Sequence, residues 1–190
     1  VVNNMSNANT TGFKSDSLIT KSFDEVYISN KENGVIGSLS LGVKIGETYT
    51  DYSQGSVRQT GGTYDLALSG SGFFTVSVTG KAGEVHTRYT RDGRFHLTKD
   101  GLLVDADGNA VQGQNGNITI DPSSKNVSIS ATGQITADGE LVDTLNIVDF
   151  EDYDYLKKYG DTMYEPVDGA TTKDAEGEIL QGYTEQSNVN

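Results

Sequence analysis

Residues 89–113 read YTRDGRFHLTKDGLLVDADGNAVQG, and Asp-Gly pairs punctuate them at Asp92–Gly93, Asp100–Gly101 and Asp107–Gly108. Asp-Gly is a strong signal for a two-residue hairpin, because a type I′ turn needs positive φ at both central positions. Spacings of 8 and 7 residues between the pairs leave room only for short strands, so the stretch predicts a tight antiparallel meander. A two-residue loop at 100–101 sets Leu97 opposite Val104, and one at 107–108 sets Val104 opposite Val111. Those three side chains are then expected on one buried face. A two-residue loop at 92–93 would oppose Arg91 and Arg94, so a bulge or longer loop is expected there.

Working outward, FFTVSV at 73–78 alternates, with Phe74, Val76 and Val78 on one face and Thr75 and Ser77 on the other. A fourth pair, Asp138–Gly139, would set Ile135 opposite Val142 and make strands of the 127–150 region. Residues 15–32 read as irregular or extended, 33–48 as a Gly- and Ser-rich loop followed by a strand, 151–159 as a short helix, and 166–178 as a surface loop. The fold class predicted is mainly β: a body of short antiparallel strands and hairpins, extended or irregular terminal segments, and little helix. The expected division is a linker over 1–32, a β-rich body over 33–180, and a return segment over 181–190.

Composition narrows the function. A net charge of −13 argues against sequence-independent nucleic-acid binding and against docking on an anionic membrane. No apolar run reaches the roughly 20 residues of a membrane span, so no membrane insertion is expected. With no Cys, disulfides and thiolate metal sites are excluded.

No catalytic constellation stands out. The two histidines, His86 and His96, flank a predicted turn, but no third metal ligand is signalled. DADGNA at 105–110 resembles a calcium loop only superficially, since the sixth and twelfth positions hold Ala110 and Gly116. Ser40 and Ser69 stand beside glycines without a partner His for a triad. No catalytic residue, cofactor site or metal site is therefore assigned. Tyr49, Tyr52, Tyr153, Tyr155, Tyr159 and Tyr164 occur in clusters, which fits either capping of a small core or a sugar-binding face.

The ends carry the most specific signal. Asn, Ser and Thr after the two leading valines suit the exit of a chain from a helix. Ser187 and Asn188 sit where N-cap residues of a following helix would stand. NNMSNANTTGFK at 3–14 resembles the signature of bacterial flagellar rod and hook proteins, matching at Asn3, Asn4, Asn7, Thr10, Gly12, Phe13 and Lys14. Met5 and Ser6 depart from the usual Leu and Ala. GSGFFTV (70–76), YTRDGRF (89–95), DGLLV (100–104) and GNAVQG (108–113) resemble the body of the same family, through Gly72, Phe73, Phe74, Tyr89, Thr90, Arg91, Gly93, Phe95, Gly101, Gly108 and Gly113. QGYTEQSNV at 181–189 resembles the segment preceding the family's C-terminal helix, through Gln181, Gly182, Tyr183, Glu185, Ser187, Asn188 and Val189.

Within that family the body is most similar to distal rod members, with proximal rod members the runner-up. The resemblance implies a structural subunit that stacks helically into a drive shaft and passes torque from motor to hook and filament. It implies no substrate or cofactor. Its implied partners are copies of itself, the adjacent rod and hook proteins and the flagellar export apparatus, in the basal body of the cell envelope. In the family, the terminal motifs join the β-body to helices that form an inner tube. This chain is expected to be the soluble core without them, and monomeric. The competing class is a cell-surface adhesion or glycan-binding β-domain, which would use the Tyr clusters but leaves the paired terminal motifs unexplained.

Overall fold

The computed structural model describes residues 2–22, 26–29, 35–39, 43–80 and 82–189, with backbone alone over 20–22, 26–29, 35–39 and 43–47. A 10-stranded antiparallel sheet organises the chain, its main path running Leu156–Tyr159, Met163–Pro166, Val85–Thr90, Phe73–Thr79, Ala110–Gly113, Leu103–Val104 and His96–Leu97. The Phe73–Thr79 strand lies at its centre and is covered on both faces. Phe74 and Val76 enter a large aliphatic core with Leu66, Leu68, Ile118, Ile120, Ile135 and Ile179. Phe73 faces the other way, into an aromatic layer with Phe150, Leu156 and Tyr164. The alternation predicted for this strand holds, but the opposite face is not solvated: Thr75 is 1% exposed.

Smaller sheets complete the body. Val127–Ile129, Gln134–Ala137 and Glu140–Thr144 form a three-stranded sheet that delivers Ile129 and Ile135 to the aliphatic core. Glu178–Gln181 pairs with Leu66–Ser69, and Tyr183–Glu185 pairs with Val57–Gln59. Toward the N-terminus, Asp16–Ser22 pairs with Val43–Thr50, and Val26–Ser29 with Val35–Leu39. The described parts of 15–32, Asp16–Ser22 and Val26–Ser29, are thus strand, the extended of the two expected states, whereas 35–39 is strand where a loop was predicted. Among the described residues, helix is confined to Val2–Ser6 and a single 3-10 turn at Tyr153–Tyr155. The helix expected over 151–159 is otherwise the strand Leu156–Tyr159, an edge strand that pairs with Met163–Pro166. The 166–178 loop includes a short exposed strand, Thr172–Asp174.

The meander forms, but one residue out of the predicted register. Leu97 opposes Leu103, and Val104 opposes His96 and Ala110. Val104 therefore points to the face opposite Leu97, Leu103 and Val111, and the single shared face predicted for Leu97, Val104 and Val111 is wrong. The turns explain the slip. Gly101 N donates to Thr98 O at 3.0 Å and Thr98 N to Leu102 O at 2.9 Å. Gly108 N and Asp105 N make the corresponding bonds to Asp105 O and Asn109 O. These are three-residue loops, closed by Gly101 (φ +83°) and Gly108 (φ +86°) alone in the left-handed region. The Asp serves as the preceding turn residue, so each loop is one residue longer than the two-residue type.

Asp138–Gly139 does form the two-residue loop, with φ +51° and +92°. Ile135 nevertheless opposes Asp143 rather than Val142, because the ladder shifts register between Ile135 and Thr136. At 92–93 no hairpin closes. Arg94 bridges to Asp65 instead, and the Asp92 carboxylate accepts from Arg94 N, Nε and Nη2.

Candidate functional site

The N-terminal motif leaves its helical turn through side-chain bonds. Asn7 Nδ2 donates to Asn3 Oδ1 at 2.7 Å, and Thr10 Oγ1 donates to Asn7 Oδ1 at 2.9 Å. Asn4 braces the start of the next strand reciprocally: its Nδ2 donates to Asp16 O at 2.8 Å and its Oδ1 accepts from Asp16 N at 3.0 Å. Gly12 then reverses the chain at φ +68°, and a Cβ there would collide with the backbone of Arg91 and Asp92. Only Gly meets both demands at once. The reversal drives Phe13 and Lys14 inward, each 1% exposed.

Lys14 meets the C-terminal motif inside. Its Nζ lies 2.6 Å from Glu185 Oε1, and Arg91 Nη1 lies 3.2 Å from Glu185 Oε2. The Glu185 side chain is fully buried, at 0% exposure. One carboxylate thus ties three motifs that lie far apart in sequence, from the N-terminal segment, the body and the C-terminal segment. The remaining polar atoms are largely matched: Lys14 Nζ donates to Ser53 O at 2.7 Å, Gly55 N to Glu185 Oε1 at 2.9 Å, and Arg91 Nη2 to Gly70 O at 2.7 Å. The Arg91 guanidinium also sits 5.5 Å from the Phe73 ring centre. Burial pulls the Lys14 ammonium below its ordinary value, against the opposing pull of Glu185. Burying two cations with one anion carries a large desolvation cost, which only close pairing and hydrogen bonding can offset.

Asn188 ties the same segments through its amide. Its Oδ1 accepts from Ser15 N at 2.7 Å, while its Nδ2 donates to Asp51 O at 2.8 Å and Ser53 O at 3.1 Å. Backbone bonds run alongside, from Gly12 N to Glu185 O at 2.9 Å and from Asn188 N to Phe13 O at 3.4 Å. Asn188 thus bridges the N-terminal segment and the 51–53 backbone. Ser187 Oγ does accept from Val189 N, at 3.2 Å, the bond an N-cap serine makes. Further back, Tyr183 lies on the strand that pairs with Val57–Gln59. Gly182 adopts φ +79°, and Gln181 clamps Thr63 O, Val127 O and Ile129 N.

The body motif divides between junction and core. Arg91 belongs to the junction. Phe73, Phe74, Tyr89 and Phe95 pack in the two cores. Thr90 Oγ1 donates to Thr162 O and accepts from Asp92 N. Gly72, Gly93 and Gly113 sit where the backbone packs closely, and Gly101 and Gly108 close turns. Sequence reasoning missed Lys158. Its Nζ donates to Lys14 O at 2.6 Å and to Asp16 Oδ2 at 2.8 Å, and lies 4.2 Å from the Phe13 ring centre. Nothing in LKKY marks it, since its partners lie more than 140 residues away in sequence.

The other candidates stay apart. His86 opposes Val78 and lies 3.8 Å from Glu84, while His96 opposes Val104 on a different strand. Among the described residues no group of three or more His, Asp or Glu side chains is gathered as a metal site would need. In the 105–110 loop, Asp105 Oδ1 is occupied by the amides of Asp107 and Asn109. Of the clustered tyrosines, Tyr52, Tyr153 and Tyr164 pack in the aromatic layer, with Tyr52 4.9 Å from Tyr153 and 5.3 Å from Tyr164. Tyr49, Tyr155 and Tyr159 are exposed.

Lys14, Arg91 and Glu185, all nearly or fully buried, thus anchor the two ends of the chain to its body. Residues 67–137 match a family model described as the D1 domain of the flagellar hook proteins FlgE/F/G. The chain is similar along its whole length to flagellar basal-body rod protein FlgF of Caulobacter vibrioides, at 34% identity over 191 positions that cover 75% of that relative. It is 32% identical to rod protein FlgG of Bacillus subtilis over 98% of this chain and 77% of the relative. It is 30% identical to FlgG of Buchnera aphidicola over the full chain and 78% of the relative. The chain belongs to the flagellar basal-body rod protein family, a family of structural subunits of the basal body.

Proposed function

We propose that the chain serves as a rod subunit whose β-body is held at a fixed angle to its terminal segments, so that torsional load passes between them. The observation that carries this reading is the Lys14–Glu185–Arg91 cluster, with Glu185 at 0% exposure. A stiff shaft needs rigid links between the part of each subunit on its axis and the part outside it. Short charge-assisted bonds in a water-excluded setting supply such a link, because leaving any partner unmatched is costly.

In this reading residues 1–32 and 181–190 lead to and from the axis, and 33–180 form the outer body. Its partners are copies of itself, the neighbouring rod and hook proteins, and the export apparatus that delivers it. It performs no catalysis. The family's FlgG-type members, which the distal-rod resemblance singled out, and its FlgF-type members both match along the chain, so either rod position is compatible with the junction.

Deletion of the gene in its native host tests the reading. The expected result is non-motile cells whose basal bodies lack a complete rod, with wild-type chain restoring both. Motile cells with complete rods would overturn it.

A further inference from the structure

We infer that the two ends of the chain form one cooperative opening unit, which locks onto the body or leaves it as a whole while the 10-stranded sheet stays folded. The backbone pairing sets the boundary. Tyr183–Glu185 and Val57–Gln59 form a two-stranded ladder of their own, and neither strand joins the ladders of the large sheet. The neighbouring strands behave differently: Glu178–Gln181 and Leu66–Ser69 deliver Ile179, Leu66 and Leu68 to the aliphatic core. Two glycines at positive φ lie on that boundary, Gly61 at +75° and Gly182 at +79°. They face each other, with Gly61 N donating to Gly182 O at 3.0 Å. Such residues absorb a change of backbone direction at little cost.

Partial release is unfavourable in either direction. If the C-terminal segment left alone, Lys14 and Arg91 would remain buried side by side without their carboxylate. Gly12 N and Gly55 N would lose their acceptors on Glu185. If the N-terminal segment left alone, it would vacate the space of Phe13 and Lys14, and Asn188 would lose Ser15 N and Phe13 O. Unmatched buried charges and empty volume both penalise these half-open states. Joint release exposes all of these groups to water together. The coupling needs no rod and is a property of the single chain.

Amide hydrogen exchange of the full chain, followed by mass spectrometry in low denaturant, reads this directly. The expected result is that peptides covering 10–16 and 183–189 share one protection level, below that of 73–79. Glu185→Gln should speed exchange at both ends by the same factor, on the order of a hundredfold, and leave 73–79 unchanged. Asn188→Ala, which keeps all three charges, should speed both ends by a smaller common factor, and decides the matter if the first variant fails to fold. Faster exchange at the C-terminal end alone, or an equal loss at 73–79, would overturn the inference.

Discussion

Gly12 and Glu185 are the residues on which the junction turns, and each is constrained by something far away in sequence. Gly12 must hold φ +68° against the backbone of Asp92, so Gly12→Ala faces both a left-handed strain and a collision. The expected loss is about 2 kcal/mol or more, measured as a lower denaturant midpoint at unchanged slope. A loss under a few tenths would mean that the contact does not exist. Glu185→Ala leaves two buried cations unmatched and is expected to destabilise by about 3–5 kcal/mol. Lys14→Met should cost less, because Glu185 keeps Arg91 and Gly55 N. At this scale the sequence was informative about position and silent about role. The terminal motifs stood out through their resemblance to the flagellar rod and hook signature. That Lys14, Arg91 and Glu185 share one site follows only from long-range pairing, which no local pattern encodes.

Turn chemistry governs the element scale. The Asp-Gly pairs correctly announced where strands reverse, because Gly is needed wherever φ is positive. They did not announce loop length, since Asp-Gly fits both a two-residue loop and the last two places of a three-residue one. Hence the loop length at 138–139 was legible, though the ladder beyond it shifts and sets Ile135 opposite Asp143, while 100–101 and 107–108 came out one residue off and turned Val104 to the other face. Both three-residue loops use left-handed Gly, but a Cβ at Gly101 would meet Ile120 O while one at Gly108 meets open space. Gly108→Ala is therefore expected to cost about 1 kcal/mol and Gly101→Ala clearly more, by thermal or denaturant unfolding. Equal costs would contradict the packing described.

The aromatic layer makes a separate prediction. Burial pushes the Tyr52 phenol up to about 12, and burial first, then the Asp149 bond, raises Tyr153. Tyr164 is raised well above its ordinary value, again by burial. Because these folded-state values exceed the unfolded value near 10, their contribution is whole below pH 10 and is lost as pH climbs above it, for Tyr52 through about 12. In an alkaline titration, one group of tyrosines should ionise reversibly and the rest only as the sheet signal in circular dichroism disappears. Reversible ionisation of all ten with the sheet intact would refute the layer.

At the scale of the whole molecule, two covered faces of one central strand hold the body together, and the buried charges hold the ends to the body. A net charge of −13 makes bodies repel, so isolated chains should sediment as monomers at micromolar concentration in low salt. In a rod, weak lateral contacts between bodies would act at high effective concentration, because neighbouring subunits are already held in place.

A rod subunit that carries torque must be found in the shaft of the basal body itself. Electron cryomicroscopy of basal bodies from the native host, in which the only copy of the chain carries an affinity tag, tests it most directly. Repeating β-body density is expected around the shaft, with residues 10–16 and 183–188 clasped at the inner side of each body. Rods in which neither the tag nor this density is found would contradict it.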